Sequence, residues 1–277
     1  MTQTLAPGSR AARMPLDIAV LSDEPLISVE SSTFAGLRRF NLIMAAIHAL
    51  SASVMLALSN DFSITVSSFF RTDAPGQNFD GARLEAFFDF PIAIGTVGFL
   101  YLSALFHLIV GTVGFGFYRR DIGRGMNRIR WVEYSLSSTL MIVVIALLPG
   151  IQDISALIAI AGANVAMILF GWLMETVNKP GQQTYWTPFV FGSIIGAVPW
   201  LAMSVYLFGS PELPTFVWFI FGSIFLFFNT FAVNQWLQYA RVGRWSDYVF
   251  GERVYIVLSL AAKSALAWQI FGNTLAG

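Results

Sequence analysis

Seven long apolar segments dominate this chain of 277 residues, at positions 36–59, 91–117, 129–149, 153–176, 187–209, 214–239 and 248–273. A helix needs about 20 mostly apolar residues to cross the hydrocarbon core of a bilayer. Only 12% of the residues are charged, about half the fraction found in soluble domains. The sequence therefore predicts an all-α protein of the cell membrane that crosses the bilayer seven times.

Residues 1–33 differ in character from the rest of the chain. They carry scattered acids among the apolar residues, which does not fit the pattern of a signal peptide, so the first apolar segment is predicted to be a retained helix. We expect a mobile tail over 1–33 and one seven-helix domain over 34–277. The chain has no cysteine, which excludes disulfides and thiol chemistry. Its net charge of zero argues against a nucleic-acid surface. We expect no metal site and no enzymatic activity.

The connections between the segments carry different charge on the two sides of the predicted bundle. Arginines or lysines occur before the first segment and between the second and third, the fourth and fifth, and the sixth and seventh. On the other side, Arg71 and Arg83 lie among several acids in the loop 61–90. Because basic loops stay in the cytoplasm, the N-terminus is expected inside and the C-terminus outside the cell.

The loop 61–90 alternates apolar and polar residues in two stretches. Phe62, Ile64 and Val66 alternate with small hydroxyl residues, and a second alternating stretch begins at Arg83. Turn-forming residues, including an Asp-Ala-Pro-Gly sequence at 73–76, separate the two. This pattern predicts an extracellular β-hairpin, which could cover the bundle or contact another subunit.

Lys263 lies in the middle of the last apolar segment, and from Val254 to Gly277 it is the only side chain that is charged at neutral pH. A charge at the centre of a membrane helix costs roughly 2.5–3.5 kcal/mol on insertion scales, so it requires a partner or a function. A desolvated amine is more easily neutral, and a neutral amine attacks carbonyl carbons to form imines. Lys263 is therefore a candidate covalent anchor for an aldehyde cofactor.

Glu133 is the best candidate for the opposite charge, because it is the only acid well inside the third segment. A cation and a carboxylate about 4 Å apart attract by roughly 4 kcal/mol at an effective dielectric constant of 20. Arg130 lies three residues earlier, on the same helix face, where it would help to keep Glu133 ionised. Asp153 and Glu175, at the ends of the fourth segment, are less central.

These features together resemble the heliorhodopsins. The resemblance covers residues 34–277 and depends mainly on Trp131-Val-Glu-Tyr-Ser135, on Gly251-Glu-Arg-Val-Tyr255 and on Ser259-Leu-Ala-Ala-Lys-Ser-Ala-Leu-Ala-Trp268. It implies a dimer that binds all-trans retinal covalently through a Schiff base to Lys263, with Glu133 as counterion. It also implies that Ser259 lies near the Schiff base and that Asn164 and Met167 line the polyene. Tyr134 and Ser137 complete the expected cofactor-binding set.

His48 and His107 are the only histidines, and both lie inside apolar segments, the first and the second. They match the two membrane histidines of the heliorhodopsin family. Such residues often form hydrogen bonds between helices. They could instead share a polar cavity and accept the Schiff base proton, because histidine titrates near neutral pH. The sequence leaves both interpretations open.

Signalling is favoured over ion pumping because the third segment has no second carboxylate beyond Glu133. A light-driven proton pump needs titratable groups on both sides of the Schiff base. We therefore expect a photoreceptor with a slow photocycle and a cytoplasmic signalling partner. A light-gated channel and a retinal-free transporter that binds a solute at Lys263 and Glu133 are the alternatives.

Overall fold

The computed structural model describes residues 25–72, 74, 82–210 and 212–276. Its strands are β1 (Ser63–Arg71) and β2 (Ala82–Pro91). Its helices are α1 (Ser31–Leu58), α2 (Ile92–Gly111), α3 (Phe115–Gly123), α4 (Arg128–Leu147), α5 (Ile154–Val177), α6 (Thr187–Gly209), α7 (Thr215–Tyr239) and α8 (Tyr248–Ile270). Every helix except α3 is long and apolar enough to cross a membrane. The predicted seven-helix architecture is confirmed, with α4 as the third span and α8 as the seventh.

The second span is shorter than the sequence pattern suggests. It ends at Gly111 rather than at residue 117, because Thr112 leaves the helical conformation (φ −127°, ψ −104°). The Arg38 guanidinium from α1 donates a 2.9 Å hydrogen bond to the freed carbonyl of Gly111. The apolar residues that follow begin α3, which buries Tyr118 and Ile122 against the bundle.

Polar side chains cap the helices that carry the functional groups. Asn127 accepts a hydrogen bond from the Arg130 amide at the start of α4, and Asp247 accepts one from Val249 at the start of α8. These caps satisfy amide groups that have no partner within the helix. They fix where α4 and α8 begin, and therefore the depth of Glu133 and Lys263.

The predicted hairpin is present as an antiparallel pair in which Ser63 lies opposite Pro91 and Arg71 opposite Ala82. A bulge between Val66 and Ser67 interrupts the simple alternation of the two faces.

The hairpin is fixed to the bundle at the start of α5. The Ser68 hydroxyl donates a 2.5 Å hydrogen bond to Asp153, whose side chain also caps α5. The hydrogen bond from Ser68 lowers the pKa of Asp153, and the hydrogen bonds from the backbone amides at the start of α5 lower it further. Asp153 therefore has a structural role at this site.

The bundle has two chemically different ends. The end with the hairpin, which we call the hairpin end, contains an apolar core in which Ile142, Val144 and Ile145 are buried. The opposite end, formed by α3 and the starts of α4 and α8, is called the basic end. Of the predicted tail, residues 1–24 lie outside the described residues. Residues 31–33 belong to α1, and the amides of Leu26 and Ile27 donate hydrogen bonds to the Gly123 carbonyl.

Candidate functional site

Lys263 and Glu133 form an ion pair in the middle of the bundle. The Lys263 Nζ lies 2.7 Å from the Glu133 Oε1. The two residues are only 3% and 5% exposed, so water screens the pair weakly. The sequence paired these two side chains across 130 positions, and the structure brings them into contact.

Two serines complete the polar contacts of this pair. Lys263 Nζ donates a 2.8 Å hydrogen bond to Ser259 Oγ, one helical turn earlier on α8. The Ser103 hydroxyl of α2 donates a 2.7 Å hydrogen bond to Glu133 Oε1. Ser259 was expected near the lysine nitrogen, whereas Ser103 was missed. Its only sequence signal is a hydroxyl group within a strongly apolar span, which is too common to identify a site.

A cavity of about 570 Å³ extends from Lys263 between α4, α5, α6, α7 and α8. Its volume falls in the range of small-molecule sites, roughly 300–1,000 Å³. The predicted residues Tyr134, Ser137 and Met167 line it. Eight of the other lining side chains are aromatic, namely Trp131, Phe189, Trp200, Phe221, Phe225, Phe228, Phe231 and Tyr255.

The rings around Trp200 define one part of this cavity. The rings of Phe221, Phe225 and Phe228 on α7 lie 5.1–5.5 Å from the Trp200 ring of α6, all edge-on. Phe219 of the same helix, by contrast, is 71% exposed. A flat, apolar, conjugated group would fit against such faces.

Asn164 is buried but does not line this cavity. Its amide nitrogen donates hydrogen bonds to Ser138 Oγ at 2.8 Å and Thr139 Oγ1 at 2.9 Å, which connect α5 to α4. The structure therefore gives Asn164 a helix-packing contact, one turn away from the cavity residue Met167.

His48 and His107 are stacked, with ring centroids 5.7 Å apart and planes 11° from parallel. The Nδ1 of His107 donates a 2.7 Å hydrogen bond to Asn41 Oδ1. Neither ring nitrogen of His48 has a hydrogen-bond partner among the described residues. The two histidines therefore lie together, and His107, but not His48, lines a small polar cavity.

That small cavity, of about 30 Å³, connects the ion pair to the basic end. Glu133 and Ser259 lie on one side of it, and Arg130 and Glu252 on the other. It has room for about one or two water molecules.

A second group of buried charges lies beyond this cavity. Arg130 forms ion pairs with Glu175 of α5 and Glu252 of α8, and all three side chains are at least 94% buried. We call these three residues the ion cluster. The guanidinium carbon of Arg130 also lies 4.0 Å from the centroid of the Tyr255 ring, which is a favourable cation–π distance.

Neutral donors satisfy the remaining oxygen atoms of the ion cluster. Trp131 Nε1 donates to Glu175 at 2.5 Å, and the hydroxyl of Tyr248 donates to it at 3.1 Å. Glu252 accepts from the Asn127 amide at 2.8 Å and from the Tyr118 hydroxyl at 3.2 Å. Buried charges are better tolerated when they are paired and when further hydrogen bonds satisfy their carboxylate oxygens in this way.

The ion cluster was not predicted. The sequence placed Arg130 in a basic loop and as a neighbour of Glu133, but its ion-pair partners are Glu175 and Glu252. Each of the three residues lies within about two turns of a helix end, where charges are usually solvated. The only sign of the cluster in the sequence is that one arginine and two acids lie near the ends of three spans.

Known proteins resemble this chain in sequence pattern and in fold. The sequence model of the heliorhodopsin family matches residues 37–275. No curated protein sequence is significantly similar to the chain.

Several solved structures share the fold. The proton-pumping rhodopsin of Acetabularia acetabulum has a TM-score of 0.60 and 14% identity, over 90% of this chain and 98% of that one. A light-driven proton pump of Leptosphaeria maculans gives 0.59 and 13%, over 88% and 96%. The transmembrane domain of the Salpingoeca rosetta rhodopsin phosphodiesterase gives 0.58 and 14%, over 92% of both chains. At these identities the structures establish a shared rhodopsin fold and nothing more.

Proposed function

The chain belongs to the heliorhodopsin family, and we propose that it is a light receptor that signals rather than transports ions. Family membership implies a retinal chromophore. The observation that carries the proposal is the buried pair of Lys263 and Glu133 at one end of an aromatic cavity. A lysine there can bond covalently to an aldehyde and still have its positive charge balanced.

The residues of this site fit all-trans retinal. Among the described residues, Lys263 is the only amine that lines the 570 Å³ cavity, and nine of the other lining side chains are aromatic. Bound as an imine to Lys263, retinal would supply absorption of visible light and a light-driven change of isomer. Tyr134, Met167 and Trp200 would hold its chain by apolar contact.

The chain's own polar groups would control the charge at the Lys263 nitrogen. Glu133 Oε1 would keep that nitrogen protonated in the dark, while Ser103 holds the carboxylate in place at 2.7 Å. Ser259 accepts a hydrogen bond from the same nitrogen. We propose that a proton released there enters the small cavity near His107 and returns by the same route.

The distribution of buried charge supports signalling over pumping. Among the described residues, every buried carboxylate lies at the level of Glu133 or nearer the basic end: Asp121, Glu133, Glu175 and Glu252. Toward the hairpin end, Ile142, Val144 and Ile145 of α4 are buried in apolar core. One-way proton movement needs an acceptor and a donor on opposite sides, and this arrangement favours one side only.

We therefore expect light to produce no net ion transport. Cells that express the retinal-loaded protein in unbuffered salt should show no protonophore-sensitive change of pH. Voltage-clamped membranes should show no steady photocurrent. The Acetabularia acetabulum pump, measured in parallel, gives the positive control. A steady current along the ion gradient would instead indicate a channel, and one against the gradient a pump; either would contradict the proposal.

We also propose that the basic end faces the cytoplasm and the hairpin end faces outward. The support is the concentration of arginines around α3 and the starts of α1, α4 and α8. A protease-sensitive tag after residue 277 should be cut on intact cells, whereas the same tag before residue 1 should be cut only after lysis. The reverse pattern would show the opposite orientation.

Two partners remain part of the proposal. A cytoplasmic signalling partner would contact the basic end. A homodimer is supported by the apolar surface of the hairpin, where Phe69, Phe70, Leu84, Phe87 and Phe88 are between 43% and 64% exposed. Exposed apolar clusters of this kind commonly mark contact surfaces.

A further inference from the structure

A second large cavity, of about 460 Å³, lies at the basic end. The segment before α1, the α5–α6 connection, the end of α7 and the start of α8 form its walls. It shares no lining residue with the cavity that reaches Lys263. The retinal site therefore does not account for it, and we call it the basic-end pocket.

Gln238 is the most informative residue of the basic-end pocket. Its side chain is 7% exposed, and neither its amide oxygen nor its amide nitrogen has a hydrogen-bond partner among the described residues. The Gln238 amide packs against Gly251. A Cβ added to Gly251 would lie only 3.1 Å from Gln238 Nε2 and 3.2 Å from Gln238 Oε1. Buried side-chain amides are nearly always paired, so this one indicates a missing polar group.

Lys179 gives the pocket a positive charge. Its Nζ is buried and has no hydrogen-bond partner within the described part of the chain. Burial, and then the nearby charge of Arg124, lowers the pKa of Lys179. A bound anion would remove both penalties, because it would pair with the ammonium group and offset the repulsion from Arg124. Arg253 lines the same pocket and adds a second cation.

The acids that line the pocket are already hydrogen-bonded. Asp247 accepts a 2.9 Å hydrogen bond from the Val249 amide as the cap of α8. Glu30 accepts one of 3.1 Å from Ser32. Both carboxylates are exposed to solvent, whereas the Lys179 ammonium and the Gln238 amide are buried without a partner among the described residues. These unpaired buried groups favour a solute that carries a negative charge.

We propose that the basic-end pocket binds a small anionic solute that carries a carboxylate or a phosphate group. Lys179 and Arg253 supply the opposite charge, and the Gln238 amide supplies a donor and an acceptor that fix the orientation. The site does not depend on the proposed light-receptor function, since no residue of the retinal cavity takes part.

The pocket adjoins the ion cluster through Tyr248. This residue lines the pocket, and its hydroxyl donates a 3.1 Å hydrogen bond to Glu175. A bound solute would thus lie one side chain from the ion cluster.

Calorimetric titration of the purified full chain tests the proposal, with sodium phosphate and sodium succinate as probes at constant ionic strength. We expect saturable binding of at least one probe and a matching rise in thermal midpoint. Lys179→Gln and Gln238→Met should each weaken the binding by about tenfold or more, as expected when a hydrogen bond to a charged or buried polar group is lost. Arg39→Gln, which removes an exposed charge at the same end, should bind as the unmodified chain does.

The two probes separate the two sources of anion. Saturation by phosphate alone would assign a phosphate-bearing solute, and saturation by succinate alone a carboxylate. Each variant is first shown to keep its thermal midpoint without probe, so that weakened binding reflects the pocket. The proposal is overturned if neither probe binds, or if Lys179→Gln and Gln238→Met bind as tightly as Arg39→Gln.

Discussion

Replacing Lys263 with alanine is expected to abolish colour completely. Lys263 provides the only amine in the 570 Å³ cavity, so the variant has no nitrogen there to bond with retinal. After incubation with retinal and purification, the Lys263→Ala variant should show no absorbance above background at visible wavelengths. The unmodified protein should be coloured, and hydroxylamine under light should bleach it.

Two further variants make this result specific. Lys179→Ala removes the only other lysine of the chain, which lies at the basic end, and should leave the colour intact. Lys263→Ala leaves Glu133 buried without its partner, and such a loss costs about 3–5 kcal/mol of stability. The double variant Lys263→Ala/Glu133→Gln should recover much of that stability and stay colourless. A visible band in Lys263→Ala would assign the retinal bond to another residue.

Replacing Glu133 with glutamine is expected to move the absorption band from the visible to the near ultraviolet at neutral pH. The carboxylate lies 2.7 Å from the Lys263 nitrogen, and the positive charge there would lose its partner. A cost of about 3–5 kcal/mol corresponds to a roughly 10²- to 10⁴-fold shift toward the uncharged nitrogen. The spectra should be recorded in sulfate, because a halide could replace the carboxylate and produce a red shift instead.

Matched acid variants distinguish the charge of Glu133 from its position. Glu133→Asp keeps the charge and should retain a visible band. Glu175→Gln removes a carboxylate that is equally buried but bonded to Arg130, and its spectrum should change far less. If Glu175→Gln loses the visible band and Glu133→Gln keeps it, the counterion is Glu175.

The spans and the central ion pair could be predicted from sequence because their signals are local or rare. Apolar runs of about 20 residues identify the seven spans. Lys263 and Glu133 were paired because few other charges occur inside those spans. Depth was harder to predict, since the predicted third segment begins at residue 129, only four residues before Glu133. In the structure the ion cluster lies between Glu133 and the solvent at the basic end, and Glu133 is 95% buried.

The contacts that sequence reasoning missed depend on how separate helices meet. Arg130, Glu175 and Glu252 belong to α4, α5 and α8, and each alone resembles an ordinary charge near a helix end. The family resemblance implied that Asn164 lines the cavity together with Met167. Its rotation on α5 instead turns its amide toward Ser138 of α4. Rotation of a helix about its axis is set by tertiary packing, which the apolar pattern of a membrane span constrains weakly.

The indole of Trp131 lines the retinal cavity and is hydrogen-bonded to the ion cluster. One face lines the cavity, while its Nε1 donates to Glu175 at 2.5 Å. It packs so closely on Gly171 that a Cβ there would lie 2.5 Å from the ring. The ring therefore has almost no room to move toward α5, so a displacement by the cavity contents would change its hydrogen bond to Glu175. A change of shape inside the cavity can thus reach a buried charge through a single side chain, without any relay of intermediate residues.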